Sequence, residues 1–280
     1  MTVTSSALLY SFAFVFSLIS LILNLRIAFL YYKSNNKEIR HYSVLLLSVF
    51  LQITFSISAI SYTGYCLSVL SITVWNADLV FWLGNVTFSS SVSIVIGNCC
   101  TAADRLLAMR RPFVYSTKYY HKSRITSSII ISGSFFLTCF LHRTGNGEPL
   151  STIAAFNSVV GPDALRKISL ARTVFCILNL AITIAFLIEA HKFVKRQQKS
   201  YVSRSIRTAN KVVFYQMASE VMLTILPNLV VQPCSWLGIS LPTIIGPYPV
   251  ALCSTYTLVC AILLTMKMKR AKFGNQSQIV

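Results

Sequence analysis

The chain has 280 residues, is 55% hydrophobic and only 11% charged, and carries a formal net charge of +18 with a mean hydropathy of +0.65. Soluble domains carry about 25% charged residues, and here the apolar residues form long unbroken runs instead of alternating with polar ones, which excludes a water-soluble globule. The positive charge is gathered in particular connections between those runs, so it gives no ground for a nucleic-acid partner.

Runs of about 17 to 25 apolar residues match the length of helix that crosses about 30 Å of hydrocarbon. Seven spans are predicted: Ser5 to Tyr32, Tyr42 to Tyr62, Leu79 to Ala103, Ile125 to Leu141, Ile168 to Ile188, Val212 to Val231 and Thr243 to Met266. The expectation is an all-α membrane protein, one seven-helix domain over residues 1–280 embedded in a lipid bilayer, with no internal repeat and no soluble domain. Met1 to Ser6 lacks a basic region and a small-residue cleavage site follows nowhere, so the first span reads as an uncleaved anchor. The uncharged stretch from Tyr42 to Ala77 blurs the end of the second span. The third is uncharged over 25 residues from Leu79 to Ala103 and closes on Asp104-Arg105. Between the fourth and fifth, "HRTGNGEPL" and "GPDALRK" hold turn residues and charges, which predicts a loop of about 26 residues. The sixth contains Pro227, whose ring and missing N–H predict a bend, and the seventh contains Pro247 and Pro249.

Orientation follows from the basic residues. The first, third and fifth connections and the carboxyl-terminal tail together hold twenty Lys and Arg, whereas the other side has Arg143, Arg166 and Lys167. The positive-inside rule then sets the amino terminus outside and the carboxyl terminus inside.

Several side chains inside the spans invite a functional reading. At about 100° per residue, Trp82, Asn85, Ser89, Ser93, Gly97, Cys100 and Asp104 share one face of the third span. That stripe is either close packing through small residues or, in its upper part from Trp82 to Ser89, one wall of a ligand pocket. Glu220 lies nine residues past Lys211, about 14 Å along a helix, where a carboxyl group must face the interior and be hydrogen-bonded. Its expected role is interhelical switching, facing the third or seventh span. Arg172, about one turn inside the fifth span, either snorkels to the interface or contacts an anionic ligand. Cys66 and Cys234 both fall on the outer side, where a disulfide is permitted. The Asn85-Val86-Thr87 sequon lies within the membrane, beyond the reach of glycosylation. The eight Cys form no Cys-x-x-Cys pair, and no two of the four His share a helix at ligand spacing, so no metal or cofactor is expected.

On its own, an Asp-Arg pair at a helix end followed by a proline eight residues after the Asp is ordinary: the Arg reaches the interface, its neighbour partly neutralises it, and Pro112 stops the helix. The whole string "DRLLAMRRPFVY" is more specific. It resembles the end of the third helix in rhodopsin-like G-protein-coupled receptors, with Asp104, Arg105, Ala108, Met109, Pro112, Phe113 and Tyr115 in register and Leu106 in place of the usual aromatic. Other family marks are missing: the fourth span has no Trp, Gln52 stands where an Asp is usual, "TILP" replaces Cys-Trp-x-Pro, and the seventh span has no Asn-Pro-x-x-Tyr. This mixture resembles the divergent serpentine chemoreceptors of nematodes. The resemblance implies a plasma-membrane receptor, in a sensory cell, that binds an external small molecule and activates a heterotrimeric G protein. It implies that Arg105 contacts the G protein, that Asp104 holds Arg105 at rest, and that Phe113 and Tyr115 shape the docking loop. Arg204, Arg207 and Lys211 occupy the inner approach to the sixth span, where relatives often carry an acidic residue that clamps the Arg.

Two other classes, a transporter or channel and an enzyme, make different demands on the sequence. A small transporter or channel calls for interrupted helices in two symmetric halves, and an odd span count without a repeat argues against it. An intramembrane enzyme calls for a nucleophile or metal constellation, and the sequence offers none.

Overall fold

The structure is a computed structural model that describes residues 3–33, 43–72, 74–110, 114–115, 119–145, 147, 154–196, 215, 218–236 and 246–276. The described residues are helical, without a strand, and six of the helices are long and apolar enough to cross a membrane. They are α1 (Val3–Lys33), α2 (Ser43–Ser68), α3 (Ala77–Arg110), α4 (Tyr120–Thr144), α5 (Pro162–Arg196) and α7 (Tyr248–Gln276). Between the last two lies α6 (218–236), whose apolar part, Ala218–Val231, is shorter. The protein is therefore a helical membrane protein of at least six such helices.

Local chemistry sets the helix ends. Asn76 caps α3 by accepting the Leu79 N–H on its Oδ1 at 3.0 Å, and Asp78 lies in the first turn, where a carboxylate favours the helix dipole. Pro162 opens α5 at the first helical position, which has no use for an N–H. This corrects the reading of "GPDALRK" as loop: the proline begins the helix, and Ile168 is already two turns inside it. Gly246, with φ of 105°, turns the chain into α7, so Pro247 precedes the helix and Pro249 sits harmlessly in its first turn. In α6 the ladder is π-helical over Val221–Ile225, just before Pro227. The proline ring would clash with the carbonyl four residues back, and the wider turn absorbs that conflict. Pro233 adds a second interruption in the same helix.

The helices alternate in direction. α1 packs on α2 and α7, α5 on α4 and α6, and α6 on α7, which closes a ring around α3. The apolar window of α3 is 72% buried, against 22% for α4 and 28% for α1 and α5, so α3 is the central post. One end of the bundle collects the basic residues Lys33, Arg110, Lys122, Arg124 and Lys192, and is called the basic end below. At the opposite end, residues 154–161 with a one-turn helix, Phe156–Val159, dip between the helices before α5 begins.

Candidate functional site

The basic half of the bundle holds a polar cavity of about 60 Å³ between α2, α3, α5, α6 and α7. Gln52 of α2, Asn98 and Arg105 of α3, Asn179 and Thr183 of α5, Glu220 of α6 and Tyr256 of α7 line it. Each comes from the interior stripe of its helix. Glu220 is 5% exposed, and its Oε2 accepts a 2.6 Å hydrogen bond from Asn179 Nδ2. Asn98 Nδ2 donates to the Tyr256 hydroxyl at 2.6 Å, which ties α3 to α7. Three oxygens facing this cavity, Gln52 Oε1, Asn179 Oδ1 and Glu220 Oε1, are buried without a donor. A cavity needs roughly 10–15 Å³ to hold one water, so this one has room for the few molecules that would satisfy them. Glu220 thus faces the interior as expected, but its hydrogen-bond partner belongs to α5.

At the mouth of that cavity α3 ends on Asp104 and Arg105. The buried Asp104 carboxylate accepts hydrogen bonds from the Tyr115 hydroxyl at 2.6 Å and from Ser123 Oγ at 2.5 Å. Ser123 is in the first turns of α4, so one carboxylate fastens the end of α3 to the residues that follow it and to the next helix. Arg105, one residue on, turns to the other side and lines the cavity that contains Glu220. Phe186 packs there against Leu106 and Met109, joining α5 to the same end of α3. On the rim Glu189 pairs with Arg110 at 3.6 Å and with Lys192 at 3.7 Å. Pro112 and Phe113 lie outside the described residues.

The expected pocket wall on α3 is corrected. Trp82 is 51% exposed, its ring edge-on to Phe81, and faces outward from the bundle. Asn85 and Ser89 are buried, but they face α4: Asn85 Nδ2 donates to the Cys139 carbonyl at 3.2 Å, and its Oδ1 accepts from His142 Nδ1 at 2.9 Å and from Ser89 at 3.2 Å. Lower on the stripe, Ser93 meets Ser134, Gly97 lies against Leu51 and Ile131, and Asp104 meets Ser123. The polar stripe is the α3–α4 seam, where small residues let two helices approach and hydrogen bonds join them. Asn85 is therefore also closed to glycosylation. Cys66 and Cys234 are both free thiols, Cys66 fully buried beneath Tyr10 and Tyr62, so no disulfide joins them. Arg172 is half-buried on α5, with its Nε enclosed and no acceptor beside it.

Among the described residues a closed aromatic cluster stands outside every sequence expectation. Phe156, fully buried, stacks on Phe88 with centroids 4.7 Å apart, and the His142 ring meets it edge-on at 4.9 Å. Gly84 makes the seat, because a Cβ there would lie 2.3 Å from the Phe156 ring. Two buried phenols serve its backbone: Tyr10 donates to the Ala154 carbonyl at 3.0 Å, and Tyr62 accepts the Phe156 N–H at 2.9 Å. The signal is an uncharged stretch, "IAAFNSVV", inside the segment expected to be a loop of about 26 residues. An apolar connection belongs inside, provided that its backbone finds partners. Neither a protein-family model nor a curated protein matches this chain.

Proposed function

We propose that the chain is a receptor of seven membrane-crossing helices, with α6 as the short sixth span, which binds an external small molecule and activates a heterotrimeric G protein. The reading takes the amino terminus as outside and the basic end as cytoplasmic, in keeping with the charge bias. The chain resembles the serpentine chemoreceptors of nematodes, a likeness that would set it in the plasma membrane of a sensory cell.

The observation that carries the proposal is the division of labour at the end of α3. Asp104 is engaged by Tyr115 and Ser123, while Arg105 faces the cavity beneath Glu220. A merely structural helix end would send both charges to the interface. Here the carboxylate stabilises the following loop and the guanidinium sits where a swing of α6 would uncover it. The irregular Val221–Ile225 turn and Pro227 give α6 a weak point directly after Glu220. In this mechanism, ligand binding at the outer end breaks the Asn179–Glu220 bond, the basic end of α6 leaves α5, and Arg105 meets the G protein. Only a ligand that favours the open arrangement can drive that change.

A screen of small molecules on cells expressing the chain, read by G-protein dissociation, tests the proposal. At least one compound should give a concentration-dependent response absent from untransfected cells. Terminal tags supply the companion test: the amino-terminal tag should be reachable on intact cells and the carboxyl-terminal tag only after permeabilisation. Both tags on one side would mean an even number of spans and would overturn the receptor reading.

A further inference from the structure

The far side of α5, near the basic end, carries a second feature that the coupling mechanism does not use. Ile184, Leu187, Ile188, His191 and Lys192 follow one another at spacings of three and one, so they form a single stripe along the helix. At about 100° per residue that stripe lies across α5 from Asn179, Thr183 and Phe186, which line the polar cavity, and so it is turned towards lipid. The five residues line a groove of about 380 Å³ whose walls are apolar except at its basic end. Ile184 and Ile188 are about half exposed there, at 45% and 50%. Directly past Ile188 the helix turns charged, with Glu189 and then Lys192, which sets this end of the groove where α5 leaves the hydrocarbon. Glu189 is shared between two cations, Arg110 at 3.6 Å and Lys192 at 3.7 Å. Neither contact is as short as a strong charge-assisted hydrogen bond, and both cations are more than half exposed. Two cations on one carboxylate leave a positive charge to spare at the mouth of an apolar groove, with the exposed ring of His191 beside it.

We propose that this groove holds one anionic glycerophospholipid, with its phosphate on Lys192 and His191 and an acyl chain along Ile184, Leu187 and Ile188. Lipid tails are as apolar as leucine, so inside a bilayer the groove alone would not prefer one lipid to another. The preference comes from the spare charge, because a lipid with net negative charge supplies the second anion that Glu189 cannot. The apolar stripe supplies the other hold, which a free phosphate could not use. The inference goes beyond the receptor reading and does not rest on it, since it needs only a helical bundle in a bilayer.

The full chain, purified in an uncharged detergent with equal amounts of phosphatidylglycerol and phosphatidylcholine, is weighed intact by native mass spectrometry. One phosphatidylglycerol should be retained per chain ahead of phosphatidylcholine. Lys192→Gln should weaken that retention about fivefold. Lys33→Gln removes a charge at the same end of the bundle, on α1, and should leave it unchanged. Ile188→Trp and Ile184→Trp fill the groove without touching the charge, and each should weaken retention at least as far. Both isoleucines are half exposed on a lipid face, so these variants should unfold at the native temperature in phosphatidylcholine alone. A failure of both to fold would mean that the stripe is packed inside the protein, and would overturn the proposal. Equal retention of the two lipids, an equal loss in Lys33→Gln, or full retention in both tryptophan variants would also overturn it. So would displacement by glycerophosphate, which would leave a bare anion site, or a lipid-free dimer, which would give the groove to a second copy of the chain.

Discussion

The two halves of this bundle treat buried polar groups in opposite ways. Around Phe156, the polar contacts close on themselves: Tyr10, Tyr62, His142, Asn85 and Ser89 each have a hydrogen-bond partner within a shell of stacked rings. Around Glu220, three oxygens face a cavity with no donor, the α6 ladder is irregular, and charges stand at the rim. Satisfied networks rigidify; partly satisfied ones in a low dielectric are costly and are retained where something must change. In the proposed mechanism the end with Phe156 is the fixed frame and the basic half is the part that moves.

Substitutions can break or sharpen that contrast. The largest loss is expected from Phe156→Ala, which empties a fully packed aromatic seat and should cost about 3–5 kcal/mol, read as a fall in thermal unfolding temperature of the solubilised protein. Gly84→Ala attacks the same seat from the other side; its Cβ collides with the ring, and an overpacking penalty of about 1–3 kcal/mol should appear in the same assay. A comparable loss on Phe186→Ala, which truncates a buried ring of the basic half, would erase the distinction between frame and moving part. Gln52→Met should instead raise stability by about 1 kcal/mol, since it removes a buried acceptor that lacks a donor, and a marked loss would mean that Gln52 is structurally engaged. The smallest effect belongs to Glu220→Gln, which keeps the shape and an acceptor for Asn179. It should fold and signal nearly as the native protein does, whereas Glu220→Leu strands the Asn179 amide and should shift basal G-protein activity. Equal and severe loss of signalling in both, at normal surface expression, would show that Glu220 acts as a counter-charge.

Much of the architecture could be read from hydropathy, because apolar runs of helical length leave few alternatives in a bilayer. The errors came where a residue has two meanings. Pro162 is both a loop residue and a good first residue of a helix, and only the chain's path decides between them. The burial of Glu220 followed from its depth, but its partner did not, since Asn179 meets it through the order and rotation of α5 and α6. The α3 stripe was correctly drawn from Asn85 to Asp104, yet periodicity gives a face without naming the neighbour, which proved to be α4. Trp82, one turn further out, had left the interior altogether. The inward course of "IAAFNSVV" depended on two tyrosines 94 and 144 residues earlier, a pairing that no local window contains: Phe156 with Tyr62 and Ala154 with Tyr10 together supply what a buried loop requires.

Arg105, set apart from Asp104 and facing the polar cavity, is the residue proposed to couple the bundle to the G protein. Its most direct test compares the native chain with Arg105→Ala, at matched surface expression, for activation of a heterotrimeric G protein by a compound that activates the native chain. The account predicts that binding of the compound persists while G-protein activation is lost. Full activation by Arg105→Ala would contradict it.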